Sequence, residues 1–571
     1  MADLTLRVSR IVLGALLAYE SFKLLRSRRV ATVVTSLVFV VPFRLVLPGI
    51  WGVVLKRWYK MVKEEGATGV LELLKLLARR LGRVYISGEA VFFIFYLYEK
   101  WSLEQPVRVP PWNVAATGYS RMQYLIKVLD SFEEVNLATS ARVPMFNRSS
   151  NDLASMNTDL KREKSIGANL VLKQAMDRGQ VTSESLMRDF EKQKLPWSTD
   201  EDVAMLVLKR SCFTSWFNTA DITEYKRGNM DSFIAECFFE GRRVAELSLV
   251  EREELKSLTD YAVDWIGMSE MEEGFNEGVR HYSLINDPLP SQYRPAFVYI
   301  VTHGIIPHLM FGLMSGLNFV SFRSGSLTYW LRRTLRKSGK LPVVFSHGIG
   351  IGLLPYYLFI RQLTLQFPDR DIFCVDLPFI AMRPNLLPSC REMAVCIEDM
   401  LSTWNFQQAH FMGHSYGTSV QSWVVHQAKH LIASFCLFDP ICFLLLKSDL
   451  AVNCLYAPVD NPHSVFFSYW VTGELYMAHT LTRNFRWYDI SLWPDSLTFP
   501  TLVTLSSGDA LVPSLSVKYH LEAEKKRRVK CNIKMDLEIV WLEGNYHGQF
   551  LGDSESQRRV FAAVKNIIDP I

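Results

Sequence analysis

The sequence lacks a strong net charge and lacks paired cysteine motifs, and both absences narrow what the chain can be. Its formal net charge is +5 over 571 residues, and no stripe of Lys and Arg interleaved with aromatics occurs, so nucleic-acid binding has no support. The nine cysteines form no C-x-x-C pair, and an odd number argues against a disulfide framework. We therefore expect buried free thiols in a reducing compartment.

The motifs of common metal sites are missing as well. No H-E-x-x-H motif occurs in the sequence. His303 and His308 are five residues apart, which places them on different faces of a helix, and no carboxylate lies near them in sequence. The sequence therefore predicts neither a metal site nor a bound cofactor.

Apolar residues, in contrast, make up 49% of the chain, which is high for a soluble protein of this length and indicates membrane contact. The run from Val30 to Leu55 is long enough to span a bilayer, and basic residues lie on both sides of it. We predict that residues 1–65 anchor the chain in a membrane, with an intracellular membrane favoured. An anchor lying in the membrane plane and a buried soluble helix remain as alternatives.

Residues 66–295 are predicted to form a mainly helical accessory domain, and they carry no catalytic motif. From Thr199 onward, apolar residues recur at spacings of three and four with charges between them, as in amphipathic helices. Residues 296–322 then run for 27 positions without Lys, Arg, Asp or Glu. This segment is predicted to be a hydrophobic helix that either associates with a membrane or packs the accessory domain onto the next one.

Residues 324–571 show a different pattern, in which short apolar strands alternate with helical stretches. Strands spaced in this way predict a mostly parallel sheet and therefore an α/β domain. The first strand pair, around Arg332 to Lys340, is predicted to be an antiparallel hairpin.

A G-x-S-x-G motif lies within this α/β region, as Gly413-His414-Ser415-Tyr416-Gly417. The residues before it have the pattern of a buried strand, and those after it have the pattern of a helix start. This is the arrangement of a nucleophile elbow, in which glycines let strand and helix close around a strained serine exposed beside a base. Ser415 is therefore the predicted nucleophile, and His414, at the variable position, is not a candidate base.

Three further motifs fall at the ends of predicted strands. His347-Gly348-Ile349-Gly350 resembles an oxyanion loop, so the backbone N–H groups of Ile349 and Tyr416 are predicted to bind the developing oxyanion. Asp509 and His547 each follow a later strand, which gives the chain order serine, aspartate, histidine. We predict that His547 is the general base and that Asp509 orients it.

Asp439 competes with Asp509 for the role of the acid. It also ends a predicted strand, in the run LFDPICF, and some lipases carry the acid at such a position. Asp509 is preferred because it precedes the histidine at a typical spacing and lies before a Val-Pro turn. Asp439 would then be structural and would cap or orient a loop.

Residues 326–571 resemble the α/β-hydrolase fold superfamily through the strings HGIGIGLLPYYLFIRQL, GHSYGTSVQSW, FDPICFLLL and SSGDALVP. Within it they are similar to membrane-associated α/β-hydrolase-like proteins of fungi, algae and protists, as is the accessory stretch SWFNTADITEYKRGNMDSFIAECFF. The resemblance implies the fold, the triad and membrane association, and it supplies no substrate. Every triad position is present, so nothing argues for an inactive enzyme.

An aromatic insertion, residues about 440–498, lies between Asp439 and Asp509. In this fold such a region commonly covers the nucleophile, and a helical cap this apolar would suit an acyl chain and exclude water. The alternative is a cap that packs on itself, with its aromatics serving as core.

These features predict a membrane-associated serine hydrolase that cleaves carboxylic esters of lipids or other acylated apolar substrates. Its expected partners are the acyl ester or lipid and a membrane, and not nucleic acid. Two alternatives remain: an acyltransferase that uses the same triad with an alcohol in place of water, and a non-catalytic membrane scaffold of the same fold.

Overall fold

The computed structural model describes most of the chain after residue 65. The predicted membrane anchor, residues 1–65, lies outside the described residues. The chain divides into two compact units, Met1–Tyr96 and Leu97–Ile571. The described residues are 66–105, 112, 119–140, 200–334, 338–384, 387–460, 462–534 and 536–570.

In the first unit the described chain is a single long helix, α1 (Gly66–Glu104), which continues into the start of the second unit. Several large apolar side chains of this helix are exposed to solvent, among them Ile86, Val91 and Ile94. The length of the helix agrees with the helical character predicted for this region.

In the described part of the predicted accessory region, four further α-helices follow α1. The last of them, Leu249–Trp265, begins with a capping box, in which Ser248 Oγ accepts from the Glu251 N–H at 3.3 Å and the Glu251 carboxylate accepts from the Ser248 N–H at 2.9 Å. Phe233, Phe238 and Leu258 are fully buried in the same hydrophobic cluster as one face of the sheet. The predicted boundary at residue 295 stays a prediction. The helices are α2 (Arg121–Ser140), α3 (Asp200–Thr214), α4 (Arg227–Phe238) and α5 (Leu249–Trp265).

The charge-free segment forms helix α6 (Ala296–Gly316). Its turn Val301–Ile305 is π-helical, which accommodates Pro307, because proline lacks an N–H and its ring crowds the carbonyl four residues earlier. The helix stops where Asn318 adopts a φ of +64° and the Phe319 N–H donates to the Met314 carbonyl at 2.9 Å.

An eight-stranded sheet follows, in the order β1-β2-β4-β3-β5-β6-β7-β8. Strand β2 pairs antiparallel with β1 and β4, and all other pairs are parallel. The predicted α/β class with a mostly parallel sheet is therefore confirmed. The strands are β1 (Val320–Ser324), β2 (Leu327–Arg332), β3 (Val343–Ser346), β4 (Ile372–Asp376), β5 (Ala409–His414), β6 (Ile432–Phe438), β7 (Thr501–Ser506) and β8 (Leu537–Leu542).

The antiparallel hairpin lies earlier in the chain than predicted. It is formed by β1 and β2, which turn at Gly325 with a φ of +56°, and not around Arg332 to Lys340. The prediction was wrong because Val320 to Phe322 belong to the charge-free run and were assigned to the hydrophobic segment. Asn318, whose side chain tolerates a left-handed backbone, ends that helix first.

Both faces of the sheet are covered, because successive strand residues point to opposite sides. Phe411 lies in one hydrophobic cluster with the accessory helices and the helices 390–403 and 417–427, whereas the next residue, Met412, lies in a second cluster with the helices 357–366 and 554–568. The covering helices are α7 (Tyr357–Gln366), α8 (Cys390–Thr403), α9 (Gly417–Gln427), α14 (Ser514–Lys530) and α15 (Ser554–Ile568).

The insertion between β6 and β7 is helical throughout much of its described length. It consists of α10 (Asp449–Ala451), continued by a π-helical turn, α11 (Pro462–Phe467), continued by a second π-helical turn, α12 (Leu475–Thr482) and α13 (Trp487–Ile490). We refer to residues 440–498 as the β6–β7 insertion.

No disulfide joins any of the nine cysteines, all of which lie in the described part of the chain. Six of them are buried, as the sequence predicts, whereas Cys390 and Cys454 are partly exposed and Cys531 is exposed. Cys374 and Cys436 lie within the central strands, where small apolar side chains fill space between the sheet and its helices.

Candidate active site

Ser415 lies in a sharp turn between β5 and α9. Its backbone has a φ of +53°, and its N–H donates to the Phe438 carbonyl at 3.0 Å. A Cβ at position 417 would lie 2.3 Å from the Ser346 carbonyl oxygen, so only glycine fits where the helix begins. The predicted strand–turn–helix context of the G-x-S-x-G motif is therefore present, and it holds the serine in a strained conformation.

The side chains of Ser415, His547 and Asp509 form a continuous hydrogen-bonded chain. The Ser415 Oγ lies 2.8 Å from His547 Nε2, and His547 Nδ1 lies 2.6 Å from Asp509 Oδ2. Because parallel strands end at the same edge of the sheet, the loops after β5, β7 and β8 meet there. In this arrangement the serine hydroxyl donates to His547 Nε2, and the Nδ1–H donates to the carboxylate.

Asp509 is held as an acceptor by two backbone groups. Its Oδ1 accepts from the N–H groups of Leu511 at 2.8 Å and Val512 at 2.9 Å, which leaves Oδ2 for the histidine. Burial by itself lowers the pKa of His547, but the Asp509 carboxylate, with a smaller contribution from Asp439, raises that pKa above its ordinary value. The carboxylate thus fixes the imidazole orientation and stabilises its charged form.

Asp439 lies beside the triad but does not bond to the imidazole. It is fully buried, and it accepts from the Ser506 N–H at 2.9 Å, the Ser506 hydroxyl at 3.0 Å and the Gly548 N–H at 2.8 Å. Burial, and then the nearby Asp509 charge, raise the pKa of the Asp439 carboxyl. His547 is therefore hydrogen-bonded to Asp509, whereas Asp439 is hydrogen-bonded to Gly548 in the loop that carries the histidine.

Asp439, Asp509 and His547 also have donor atoms within 4.8 Å of one another, a spacing that a metal ion could use. Each of these groups is already hydrogen-bonded, Asp509 to the imidazole and to two amides and Asp439 to Ser506 and Gly548. A metal would have to displace these bonds. The donor set therefore fits a hydrogen-bonded relay better than a coordination site.

The predicted oxyanion donors, Ile349 and Tyr416, both line the cavity that contains Ser415. Within the part of the chain that the structure describes, neither N–H has a hydrogen-bond acceptor, whereas the neighbouring Gly350 N–H donates to the Ile380 carbonyl at 2.9 Å. Both amides are thus available for the predicted role of oxyanion donors, which stays a prediction.

His347 and Gly348 hold this loop in place. His347 is fully buried, its Nε2 accepts from the Leu377 N–H at 3.0 Å, and its Nδ1 lies 2.8 Å from the Gly348 carbonyl oxygen. A Cβ at Gly348 would lie 2.8 Å from the Ser415 Cβ, so the loop approaches the serine closely only with glycine there. Gly413 has a similar role, because its missing side chain makes room for the Gln421 amide.

A buried tyrosine that the sequence pattern did not single out links the two halves of the site. The Tyr356 hydroxyl accepts from the Gly348 N–H at 2.8 Å and lies 2.7 Å from His414 Nδ1. His414 is itself buried, its ring lies 5.2 Å from the His547 ring, and burial holds its pKa well below the ordinary value. His414 is therefore held in its neutral form next to Tyr356, and it packs against the ring of His547.

His410, in contrast, is remote from the serine, although it lies in the same sequence run. It is at the opposite end of β5, where its Nδ1 lies 2.8 Å from the Ser434 hydroxyl and its Nε2 lies 3.2 Å from Arg370. His414 lies four positions further along the strand, roughly 13 Å away.

An apolar cavity adjoins Ser415. The volume of this cavity is about 90 Å³. Among the described residues that line it, Glu236 is the one charged side chain, and most of the others are aliphatic or aromatic. The loops of the sheet contribute Ile349 and Tyr416, the β6–β7 insertion contributes Leu450 and Leu481, and the accessory region contributes Trp216 and Phe233.

The contribution of the accessory region to this cavity was not foreseen. Trp216 and Phe233 belong to amphipathic segments, where aromatic residues are more often part of a core. Both side chains are buried, as they would be in a core. The periodicity of a sequence predicts burial, and it therefore does not distinguish a residue of a cavity wall from a core residue.

Comparison with known proteins gives matches to solved structures alone. No family model matches the chain, and no curated protein matches it in sequence. A bacterial membrane phospholipase A is 14% identical, with 48% of this chain and 94% of that chain covered and a TM-score of 0.33. A carboxylesterase from the thaumarchaeon Nitrososphaera gargenis is 15% identical, with coverages of 44% and 98% and a TM-score of 0.31. An epoxide hydrolase from Vigna radiata is 14% identical, with the same coverages and a TM-score of 0.32.

Proposed function

We propose that the chain is a serine hydrolase that cleaves carboxylic esters with an apolar acyl group through an acyl-Ser415 intermediate. The observation that carries this proposal is the hydrogen-bonded chain from Ser415 through His547 to Asp509, which opens onto an apolar cavity. The similarity to the solved structures is too low to support this proposal.

In the acylation step the Ser415 oxygen attacks the ester carbonyl carbon while His547 Nε2 takes the hydroxyl proton. Asp509 stabilises the imidazolium that forms, and the N–H groups of Ile349 and Tyr416 bind the oxyanion. His547 then gives its proton to the departing alkoxide, so the alcohol leaves and the acyl group stays on Ser415.

Deacylation repeats these steps with water in place of the serine. His547 removes a proton from a water molecule, the hydroxide attacks the acyl carbon, and the proton returns to the Ser415 oxygen. The carboxylic acid is released and the free enzyme is restored. An acceptor alcohol in the position of this water would give acyl transfer instead.

Rapid mixing with p-nitrophenyl butyrate tests the two-step mechanism. We expect a burst of about one p-nitrophenolate per active site followed by slower turnover, because acylation by an activated ester commonly outpaces deacylation. A folded protein that hydrolyses no ester in a broad panel would contradict the proposal. Adding glycerol or a sterol alcohol to the same reaction separates hydrolysis from transfer, through the formation of a new ester.

Membrane association is the second part of the proposed function, and helix α6 supports it. Among the described residues, α6 is the helix that is long and apolar enough to cross a membrane, with 21 residues and a mean hydropathy of 1.6 in its most apolar window. A core helix of a soluble protein passes the same test, but only 28% of that window is buried. Ile305 and Phe311 are 58% and 60% exposed.

This half-buried helix is better suited to lie on a bilayer than to cross it, because its other side is fixed to the protein. The Tyr299 hydroxyl donates to the Glu474 carboxylate at 3.0 Å, and His303 Nε2 lies 2.5 Å from the Met382 carbonyl oxygen. Met310 and Met314 are buried in the cluster beside β3 and β4. The exposed apolar side chains are thus left to contact lipid acyl chains at the membrane surface.

The double variant Ile305→Ser, Phe311→Ser tests this docking surface. We expect about a tenfold loss of activity on an ester embedded in phosphatidylcholine vesicles, because two apolar contacts with lipid are lost, with activity on dissolved p-nitrophenyl butyrate unchanged. Val529→Ser is the matched control, because Val529 is also an exposed apolar helix residue, on α14. An unchanged ratio of the two activities would contradict docking through α6.

A further inference from the structure

The cavity beside Ser415 has a wall that the sheet and its loops do not provide. Trp216, Phe233 and Tyr282 of the accessory region line it together with Leu446 and Phe485 of the β6–β7 insertion. The Trp216 indole N–H donates to the Leu446 carbonyl at 2.7 Å, which joins the two regions directly. The space next to the nucleophile is therefore shaped by residues of the accessory region.

The wall is fixed by a loop that we call the wall loop, residues 282–287. Tyr282 stacks on Tyr456 at 4.4 Å, and the Tyr456 hydroxyl lies 3.0 Å from the Ser283 carbonyl oxygen and 2.9 Å from the Asp287 carboxylate. Arg483, from the insertion, donates to the Leu284 carbonyl at 2.9 Å and to the Asp287 carbonyl at 2.6 Å. These contacts with the insertion hold the wall loop in one position, and the cavity that it borders therefore has a defined size.

The charge on the residues that line the cavity restricts which group it can hold. Glu236 is its one charged lining residue, and both of its carboxylate oxygens are occupied, one by the Ile285 N–H at 3.1 Å and the other by the Asn286 amide at 2.9 Å. No Lys or Arg occurs among the described lining residues. A negatively charged group has no cation to pair with here, so the part of the ligand that is buried must not be anionic, because nothing would offset its desolvation.

The volume sets the length of that group. A cavity of about 90 Å³ is several times larger than the roughly 10–15 Å³ that one water molecule needs. An acetyl group leaves most of this space empty, whereas an acyl chain with roughly six to ten carbons is of a size to fill it.

We propose that the cavity is the acyl-chain site and that the accessory region makes the enzyme selective for acyl chains of about six to ten carbons that carry no anionic group. This proposal rests on the proposed function, because Ser415 must attack an ester for the cavity to hold its acyl part. It assigns Trp216 and Phe233 to specificity, whereas their sequence context places them in a core.

A series of p-nitrophenyl esters from acetyl to palmitoyl tests the proposal with the full-length protein. We expect kcat/KM to peak near the octanoyl ester and to fall at least about tenfold toward both ends, because each unfilled or unaccommodated methylene loses apolar contact. The mono-p-nitrophenyl ester of suberic acid, a chain of similar length with a terminal carboxylate, should be at least about 100-fold poorer than the octanoyl ester.

Two variants shift the optimum in opposite directions. Trp216→Ala enlarges the cavity and should move the peak to longer chains, whereas Ala451→Phe fills it and should move the peak to shorter ones. Leu258→Ala is the control, because Leu258 is fully buried in α5 and does not line the cavity, so its profile should stay unchanged. Thermal unfolding identifies any variant that does not fold, and Ala451→Phe keeps the test intact if Trp216→Ala fails.

The outcomes separate this proposal from the proposed function. An active enzyme with a flat chain-length profile, or with profiles that neither variant shifts, would overturn the acyl-chain site while leaving the serine hydrolase intact. A folded protein with no activity on any ester in the series would instead remove the proposed function itself.

Discussion

Replacing Ser415 with alanine is expected to lower kcat/KM for ester hydrolysis by on the order of 10⁴–10⁶-fold. The reason lies in the geometry of the turn. Ser415 Oγ is the atom that faces His547 Nε2 at 2.8 Å, and the φ of +53° holds it in that place. An alanine keeps the turn and the cavity but offers no oxygen to acylate. The residual rate would come from binding and the oxyanion donors.

The activity of the Ser415→Ala protein should be compared with that of the unchanged protein together with the thermal stability of both. Ser415 is almost fully buried, so removing its hydroxyl also removes one hydrogen bond to His547, and the thermal unfolding temperature should change by only a few degrees. Thr418→Ser is a suitable control, because it keeps the hydroxyl that caps the same turn by donating to the Ser415 carbonyl. A Ser415→Ala protein that retains more than about a tenth of the activity would contradict the assignment of the nucleophile.

Replacing Asp509 with asparagine is expected to lower kcat/KM by about 10³–10⁴-fold. The asparagine carbonyl oxygen can still accept from the Leu511 and Val512 N–H groups, so the loop should keep its conformation. The side chain then presents an NH₂ group to His547 Nδ1, and that nitrogen becomes the acceptor. The imidazole is held in the tautomer whose Nε2 carries the proton, which cannot take the proton of Ser415.

Asp439→Asn is the matched comparison, because it changes the other carboxylate next to the base. Asp439 reaches His547 only through the Gly548 N–H and through its charge, so we expect about a tenfold loss. Activity requires neutral His547, so kcat/KM falls as the pH drops through the raised His547 pKa, above the ordinary value of 6.5. Removing the Asp439 charge lowers that pKa and should move this acid limb to lower pH. A larger loss for Asp439→Asn than for Asp509→Asn would reverse the two roles.

The arrangement of the triad residues could be predicted from the sequence, because it depends on strand ends alone. Ser415, Asp509 and His547 each follow a short apolar strand, and a mostly parallel sheet brings the ends of such strands to one edge. The spacing of the glycines in the motif also predicted the sharp turn at Ser415. This turn requires glycine at position 417, because a Cβ there would collide with the Ser346 carbonyl oxygen. The roles of these residues in catalysis remain proposals that the variants above address.

Contacts between distant elements could not be predicted in this way. The Tyr356 hydroxyl reaches Gly348 and His414 because the turn before α7 lies in the same hydrophobic cluster as Met412 of β5, a contact that no local pattern encodes. Trp216 has the same spacing and burial as a core aromatic, and its place in the cavity wall depends on a bond to Leu446, 230 residues later. The misplaced hairpin had a local signal, since Asn318 after Gly316-Leu317 is a common way to end a helix.

Labelling with a fluorophosphonate probe, followed by peptide mass spectrometry, tests the central claim most directly. The probe reacts with a serine that a neighbouring base activates, so its position identifies the nucleophile without knowledge of the substrate. We predict one adduct per chain, on Ser415, that is absent from Ser415→Ala and strongly reduced in Asp509→Asn. An adduct on another residue, or labelling that persists in folded Ser415→Ala, would contradict the proposal that Ser415 is the nucleophile.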